Sequence, residues 1–355
     1  MQEIKFSKNN NQFFFELRKN VDAYFRSTNQ KVTGNFKLYT KTIILSLLGL
    51  GGYIYLVFYT PNNWIALLCI LFLGLIYSSI GFNVMHDGAH GSYSTKRWVN
   101  ELMALSLNVL GGSSFMWKQK HNILHHTFTN IEGMDDDIDI KPFIRTNTAQ
   151  KKYWFNKYQH FYWPAFYALT YLYWIYFMDF HKYFTRRILG TEIPKMNTKE
   201  HFIFWFSKIS HIFFFVALPI YTLGIVKFLV GYLLMCFVMG WILALVFQVA
   251  HVVEDTKFPV PDTSTGEIED NWAVHQVATT ANFSTKNKFI SWWVGGLNFQ
   301  VEHHLFPRIS HIHYPALNKI LKETCEKHNV KYIEYKTMFQ AIKSHLLYLK
   351  HIGTA

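Results

Sequence analysis

The sequence has little cysteine and lacks the short motifs of several common protein classes. Three cysteines among 355 residues give no basis for a disulfide framework. No glycine-rich loop of the kind that binds nucleotide phosphates occurs, and the zinc-protease motif HExxH is also missing. These absences argue against a disulfide-stabilised secreted domain, a P-loop nucleotide-binding protein and a zinc protease.

Charged residues are absent from long stretches of the chain. Lys, Arg, Asp and Glu do not occur in residues 42–60 and 64–85, and a second pair of apolar runs covers 202–223 and 228–250. Each run has about the 20 residues that cross a bilayer core. Buried helices of a soluble protein are the alternative, but paired runs of this length favour membrane helices. We therefore predict an all-α integral membrane protein with four transmembrane helices in two hairpins and a cytoplasmic helical cap.

Basic residues lie almost entirely on one side of the predicted hairpins. The net charge is +12, yet the two short connections inside the hairpins hold only Lys227, and the positive-inside rule makes the basic side cytoplasmic. We expect no signal peptide, and the aromatic patch Phe13–Phe15 is predicted to lie at the membrane interface. A single domain is expected, with the following sections: a cytoplasmic or interfacial N-terminus at 1–41, hairpins at 42–85 and 202–250, and cytoplasmic segments at 86–201 and 251–355.

The 18 histidines are concentrated where the predicted spans meet the cytoplasm. HDGAH follows the second span, HNILHH comes later in the middle segment, FQVAH ends the fourth span, and QVEHH lies near the C-terminus. His86 and His90, four residues apart, are expected to share one face of a helix that continues out of the membrane. In helical geometry His121 and His125 also share a face, and His126 lies about one helical step round. The two hairpins are therefore expected to bring four clusters of imidazoles to the same membrane face.

Neutral imidazole is a good ligand for iron, zinc, copper and nickel. An HxxxH spacing alone is typical of ordinary polar helix residues, but four clusters together favour two metal ions. Soft copper sites recruit Cys or Met, and no Cys stands beside these clusters. A site made almost entirely of imidazole, with open positions for oxygen, therefore indicates a pair of iron ions suited to attack on an inert C–H bond.

Other polar residues near the clusters are expected to support the histidines. Asp87, Glu302 and the acidic run Asp135–Asp137 are candidates to accept hydrogen bonds from the outer nitrogens of the rings, although a solvated acidic loop is an equal alternative for the run. Gln300 stands one turn before His303, so its side chain is a candidate metal ligand, directly or through water. No catalytic residue separate from the metal site is expected.

The remaining histidines and the aromatic segment 153–180 receive a structural interpretation. His275 matches no ligand position, and His160, His211 and the histidines from His311 onward are expected to be structural too. The aromatic segment is too rich in Trp and Tyr for a fifth span, so we predict an interfacial helix.

HDGAH, HNILHH and QVEHH resemble the three histidine boxes of the membrane-bound fatty acid desaturases, and the resemblance extends across nearly the whole chain. The segment NFQVEHHLFP is most similar to the front-end branch and its bacterial acyl-CoA or acyl-lipid relatives, which include linoleoyl-CoA desaturases. The resemblance implies O2-dependent insertion of a cis double bond into a fatty acyl chain carried on CoA or on a lipid. It also implies the following iron ligands: His86, His90, His121, His125, His126, His251, His303 and His304, with Gln300 in the place of a ninth.

The resemblance further implies a separate source of electrons. The motif His-Pro-Gly-Gly of a fused haem domain does not occur, so we expect a ferredoxin, or a cytochrome b-type protein with its reductase, as the donor. An acidic donor would suit the basic face. We expect contact with membrane lipid, no nucleic-acid partner, and a location in a bacterial inner membrane with the active site on the cytoplasmic side.

Two other functions are consistent with parts of the pattern. A fatty acyl or lipid hydroxylase or ketolase would share the architecture, because the first hydrogen abstraction is common to both reactions. A membrane metal transporter or sensor would bind ions reversibly through the histidines, but it would need a polar path through the spans. The spans are nearly devoid of polar residues, so desaturation is the favoured prediction.

Overall fold

The computed structural model describes residues 4–7 and 11–355, and most of these residues are helical. Four helices are long and apolar enough to cross a membrane, and they are called spans 1 to 4 below: Phe36–Tyr59, Asn63–His90, Thr198–Leu223 and Ile225–His251. They confirm the four predicted spans. The helix of span 2 continues past Met85 to His90, as expected, so HDGAH lies within the helix.

Asparagine side chains set the start of three spans. Asn35 accepts a hydrogen bond from the Lys37 amide, and Asn62 accepts one from the Ile65 amide. Asn197 and Glu200 form a reciprocal capping box at span 3. Each cap satisfies an amide that has no partner within the helix. The Asn35 cap explains why span 1 begins at Phe36 rather than at Thr42, where the uncharged run starts.

Shorter elements complete the described part of the chain. The α-helices outside the spans are Gln12–Thr28, Arg97–Ala104, Ser106–Val109, Ser114–Trp117, His126–Phe128, Gln159–Tyr173, Asp179–Thr185, Trp272–Ala278, Lys288–Trp293, Gln300–Leu305, Tyr314–Lys327 and Met338–Thr354. The π-helical segments are Gly81–Met85, Lys118–His125, Trp174–Met178 and Phe213–Ala217, and the 3-10 turns are Asn156–Tyr158 and His311–His313.

The strands are two residues long and form three separate pairs. The parallel pairs are Lys5–Phe6 with Glu267–Ile268 and Asn282–Phe283 with Glu334–Tyr335. The antiparallel pair is Arg187–Ile188 with Thr191–Glu192. The strands therefore only hydrogen-bond short segments to each other, and the described fold consists mainly of helices.

The chain divides into two compact units. The first unit comprises the described residues up to Thr33 together with Lys120–Tyr162 and Val246–Ala355, and the second comprises Gly34–Gln119 and Trp163–Leu245. The first unit therefore contains the second and third histidine boxes and His251. The second unit contains most of the spans and the first box.

Small residues allow the helices of the second unit to approach closely. A Cβ atom at Gly74 of span 2 would lie 2.7 Å from a methyl carbon of Val238 in span 4, and a Cβ at Gly240 would lie 2.4 Å from the Ala168 carbonyl oxygen. Close backbone approach at small residues is a common way for membrane helices to pack. A larger side chain at either glycine would push the helices apart.

The aromatic segment forms a longer helix than predicted. Helical residues run from Gln159 through the π-helical turn Trp174–Met178 to Thr185. Tyr171 and Ile175 of this helix belong to a buried core with Met235 of span 4. Its interfacial position stays a prediction, but within the second unit the helix packs against a span.

The core of the first unit supports the third histidine box. Phe13 and Leu17 of the helix Gln12–Thr28 pack in one buried cluster with Val301, Leu305 and other residues of the C-terminal part. Only Phe15 of the patch Phe13–Phe15 is largely exposed, whereas Phe13 is fully buried. The interfacial prediction is therefore wrong for Phe13, because its ring packs in the protein core.

Candidate metal centre

Two π-helical segments lie at the first two histidine boxes. Gly81–Met85 directly precedes His86, and Lys118–His125 contains His121 and His125. In π-helical geometry the residue at i bonds to i+5, rather than to i+4. The Nε2 atoms of His121 and His126, five positions apart, accordingly lie 3.3 Å from each other. Regular α-helical spacing had placed His126 about one step round from that face.

Three histidines from three separate segments of the first unit form a compact triad. The ring centroids of His125, His251 and His304 lie 4.8 Å apart in each of the three pairs. All three rings are buried, and one nitrogen of each lies within 4.8 Å of the others. This spacing allows three imidazoles to bind one metal ion.

The outer nitrogen of each triad ring has a fixed acceptor. The Nδ1 of His125 lies 2.9 Å from an oxygen of Asp135, that of His251 lies 3.2 Å from the Thr279 carbonyl oxygen, and that of His304 lies 2.8 Å from Gln276 Oε1. With Nδ1 donating, the tautomer is fixed and Nε2 carries the lone pair.

The inner nitrogens of the same triad differ sharply from the outer ones. The Nε2 atoms of His125, His251 and His304 are buried and have no hydrogen-bond partner among the described residues. A buried polar atom without a partner carries a desolvation cost of about 1–3 kcal/mol. Three such atoms facing a common point fit a metal ion, which bonds to each lone pair.

Further histidines of the first unit pack around the triad. The ring centroid of His126 lies 4.5 Å from those of both His303 and His304. The Nδ1 of His121 lies 2.6 Å from Asp137 Oδ2, and that of His303 lies 3.1 Å from the Tyr314 hydroxyl. The structure thus brings together six of the predicted ligands within one unit: His121, His125, His126, His251, His303 and His304.

Burial and carboxylates act in opposite directions on these rings. Burial lowers the pKa of His121 to about 4, against the opposing effect of Asp137, and burial also lowers the pKa of His304 well below its ordinary value. Burial acts the same way on His125, but Asp135 and then Asp137 outweigh it and raise the pKa of that ring. His121 and His304 are therefore neutral at pH 7, which is the form that binds metals.

The first box lies in the second unit. His86 and His90 are buried at the end of span 2, and their ring centroids lie 4.6 Å apart. The indole of Trp117 contacts both rings edge-on, with centroid distances of 5.6 and 5.7 Å. The i, i+4 spacing therefore does place the two rings side by side, and their role as ligands stays a prediction.

The residues predicted to support the ligands differ in their surroundings. Asp135 and Asp137 accept from ring nitrogens, as expected for the acidic run. The carboxylate of Glu302 instead accepts from the side-chain amides of Asn282 at 2.6 Å and Asn318 at 2.7 Å. Burial, the largest effect on this group, raises the pKa of Glu302 to about 7 despite these hydrogen bonds.

Gln300 and Asp87 occupy buried positions beside the boxes. The Gln300 side chain is fully buried, and neither its Oε1 nor its Nε2 has a hydrogen-bond partner among the residues described. This environment fits a direct or water-mediated metal ligand, which stays a prediction. Asp87 is 1% exposed, and its backbone carbonyl accepts from the Ser92 amide, closing the turn that ends span 2.

Three of the histidines expected to be structural, His211, His275 and His345, are buried outside the triad. The Nδ1 of His211 lies 3.2 Å from the Val109 carbonyl and its Nε2 lies 3.2 Å from the Tyr232 hydroxyl. The Nδ1 of His345 lies 2.6 Å from the Val252 carbonyl oxygen. His275 packs against the ring of Phe6 at a centroid distance of 5.0 Å. These contacts fit structural roles.

The sequence interpretation missed two residues that contact the outer ring nitrogen of His304. Gln276 stands next to His275 in the sequence, yet its Oε1 is the acceptor for His304. Thr129 Oγ1 lies 2.9 Å from the same Oε1 and 2.7 Å from the His125 carbonyl. The only available signal for Thr129 is its position one helical turn after His125, and nothing in the local pattern indicates Gln276.

Comparisons with known proteins agree with this geometry. The sequence model for the fatty acid desaturase family matches residues 62–336. The chain is 38% identical to an acyl-lipid (8-3)-desaturase of Physcomitrium patens, over 97% of this chain and 72% of that protein. It is 36% identical to an sn-1 linoleoyl-lipid 6-desaturase of Arthrospira platensis, over 95% and 92% of the two chains.

A cyanobacterial relative covers the whole chain. The sequence is 34% identical to an sn-1 linoleoyl-lipid 6-desaturase of Synechocystis sp., over 100% of this chain and 99% of that protein. The family match, the four apolar helices and the buried histidine clusters all indicate the same class of protein. The chain therefore belongs to the fatty acid desaturase family, and it is an integral membrane oxidoreductase that desaturates fatty acyl chains.

Proposed function

We propose that the eight histidines of the boxes and of span 4 hold two iron ions, and that the enzyme uses O2 to insert a cis double bond into a lipid-linked acyl chain. The observation that carries the metal assignment is the triad, whose three inner nitrogens are buried and without hydrogen-bond partners among the described residues. Imidazole donors with few carboxylates suit iron at a site where oxygen must also bind.

The protein's own residues orient the ligands and exclude water. Asp135, the Thr279 carbonyl and Gln276 each hold one Nδ1–H of the triad, so each ring is fixed in position before a metal binds. A bound and reduced pair of iron ions would supply the oxidising chemistry, in which two neighbouring hydrogens of the acyl chain, two donor electrons and two protons convert one O2 into two water molecules. The buried rings keep bulk water away from that chemistry.

The substrate is proposed to be an acyl chain attached to a membrane lipid. The relatives described above are named as acyl-lipid or linoleoyl-lipid desaturases, and a protein with four membrane spans is embedded among such lipids. The front-end type of reaction, with a new double bond on the carboxyl side of an existing one, is proposed on the same basis and from QVEHH.

Electrons are proposed to come from a separate acidic redox protein, either a ferredoxin or a cytochrome b-type protein. The net charge of +12 favours association with an acidic partner and with anionic lipid. The placement of Lys and Arg outside the hairpin turns supports a cytoplasmic position for the histidine boxes, and we propose a bacterial inner membrane as the location.

The test is expression of the full chain in a bacterial host supplied with linoleic acid, followed by mass spectrometry of the lipid-bound fatty acids. A new acid two mass units lighter than linoleic acid is expected, together with iron in the purified protein. His304→Ala should lose both the product and the iron, whereas His181→Ala, which changes an exposed histidine, should retain them.

Two results would contradict the proposal. A product sixteen mass units heavier would make the enzyme a hydroxylase. Full iron content in a folded His304→Ala protein would show that His304 is not an iron ligand, even if the desaturated product were found.

A further inference from the structure

An apolar cavity of about 300 Å³ lies at the tips of the two hairpins, within the second unit. Thr60 and Asn63 border it from the turn between spans 1 and 2, and Leu223 and Lys227 border it from the turn between spans 3 and 4. This volume falls within the range of ligand pockets. None of the residues that line the cavity belongs to a histidine box.

The cavity lies at the end of span 2 remote from the first histidine box. Asn63 and His90 are the two ends of that helix, and a rise of 1.5 Å per residue separates them by about 40 Å. Ile70 and Met235 line the cavity and also belong to the buried core that contains Tyr77 and other residues farther along the spans. On span 2 the lining of the cavity ends about 20 Å before the first histidine box, so the cavity does not contact that box.

The walls of the cavity favour an apolar occupant. The hydroxyl of Tyr53 already donates to the Phe214 carbonyl oxygen. The hydroxyl of Tyr232 lies 2.5 Å from that of Tyr176 and 3.2 Å from His211 Nε2. Most other wall residues are aliphatic or aromatic. At this depth in a bilayer, the apolar molecule present at high concentration is the acyl chain of a lipid.

The rim of the cavity carries one basic side chain. Lys227 is exposed, and no acidic residue of the described chain forms an ion pair with it. It stands at the level of a hairpin turn, where the headgroup of a lipid inserted between the tips would lie. An ammonium group at this position attracts a phosphate.

We propose that this cavity binds one acyl chain of a phosphate-bearing membrane lipid, in the leaflet opposite the histidine boxes, with the lipid phosphate beside Lys227. Such a lipid would contact all four spans, because the walls include Leu56, Ala66, Phe215 and Val230. Bound lipid would therefore hold the two hairpin tips together.

The proposal is tested by measuring lipid retained on the purified protein. The full chain, extracted from a bacterial membrane in mild detergent, is analysed by native mass spectrometry and by phospholipid extraction. One phospholipid per chain is expected to remain bound to the unaltered protein. Ala66→Phe and, independently, Val230→Phe place a ring in the cavity and should lose it. Leu229→Phe adds the same ring at an exposed neighbouring residue that does not line the cavity, and it should retain the lipid.

A second measurement tests the headgroup contact. Lys227→Gln should lose the preference of the site for phosphatidylglycerol over diacylglycerol, as measured by competition in mixed micelles, without loss of the acyl chain. Equal phospholipid content in the unaltered protein and in both Phe variants would overturn the proposal. Recovery of a free fatty acid or of the desaturated product, instead of a phospholipid, would also overturn it and would make the cavity part of the substrate path.

Discussion

Two buried polar clusters differ in how completely their hydrogen bonds are satisfied. Lys208 lies inside span 3 of the second unit, and its Nζ is 2.6 Å from the Gly111 carbonyl, 2.7 Å from the Ile175 carbonyl and 2.8 Å from Asp179 Oδ2. Each of its three N–H groups therefore has an acceptor. In the triad of the first unit, the outer nitrogens have acceptors, whereas the inner nitrogens have none among the described residues.

This difference separates a structural ion pair from a binding site. An ionisable residue inside a membrane span is a functional candidate by default, but the complete hydrogen bonding of Lys208 assigns it to structure. The triad is equally buried, but its inner nitrogens have no hydrogen-bond partner among the described residues. The lesson is that unsatisfied ring nitrogens from three segments that lie within metal-binding distance of one another, rather than burial or charge alone, mark the candidate metal centre.

The largest expected effect is loss of a triad ligand. His251→Ala removes one of three inner nitrogens, so iron binding and desaturated product should fall by about 100-fold or more. The melting temperature of the metal-free protein should change little by comparison. Elemental analysis measures the iron content of the variant, and gas chromatography measures the desaturated product. Normal iron content in the variant would show that the triad is not the metal site.

Loss of Lys208, whose hydrogen bonds are complete, should lower the stability of the protein and leave its iron binding unchanged. Lys208→Met removes the cation that pairs with the buried Asp179 carboxylate, and removing one member of a buried ion pair costs about 3–5 kcal/mol. We expect much less folded protein in detergent but normal iron per folded chain. The double variant Lys208→Met with Asp179→Leu should recover most of the stability in thermal unfolding. A folded single variant without iron would contradict this division of roles.

A smaller effect is expected from the acceptor behind His304. Gln276→Leu removes the oxygen that holds His304 Nδ1, and loss of such a partner weakens metal binding by about 10- to 100-fold. Gln276→Glu keeps an acceptor oxygen at the same place and should restore most of the affinity. Titration of the iron-loaded protein with a chelator measures the iron affinity of both variants. Equal iron retention in the Leu and Glu variants would show that Gln276 only fills space.

The smallest expected effect concerns the pH dependence of stability, which a buried histidine outside the triad influences. Burial lowers the pKa of His345 to about 4, below the ordinary value near 6.5, so the unfolded chain binds a proton more readily than the folded protein. The stability contributed by the neutral ring is therefore present above pH 6.5 and is lost as the pH falls towards 4, by about 1.4 kcal/mol per pH unit. Thermal unfolding between pH 7 and 5 should show a shallower decline in His345→Gln. An unchanged slope would exclude this contribution.

Much of the fold was predictable because hydropathy acts over whole segments. The spans are apolar along their full length, so the four helices were identified from composition alone, and only the ends differ. The start at Phe36 depends on the Asn35 cap, whereas the continuation of span 2 to His90 was expected from the spacing of HDGAH. The helix through Tyr171 was underestimated, because its contacts with Met235 come from a segment distant in sequence.

The candidate site was predictable in its residue types and only partly in its geometry. The boxes name the histidines, but regular α-helical spacing does not place His126 opposite His121, since that arrangement arises in the π-helical segment. Glu302 was expected to support a ring, yet it lies between two asparagines from distant segments. Gln276 was missed because its acceptor role depends on where the chain folds back.

The sequence by itself determined that this protein spans a membrane, carries histidine boxes and resembles a desaturase, because hydropathy and ligand chemistry are properties of local residues. Only the tertiary structure decided which three rings converge on one candidate metal position, which groups accept from their outer nitrogens, and that the hydrogen bonds of Lys208 are complete. Those assignments depend on distances between segments far apart in the chain, and a hydrogen bond or a metal bond forms only when such segments come within about 3 Å.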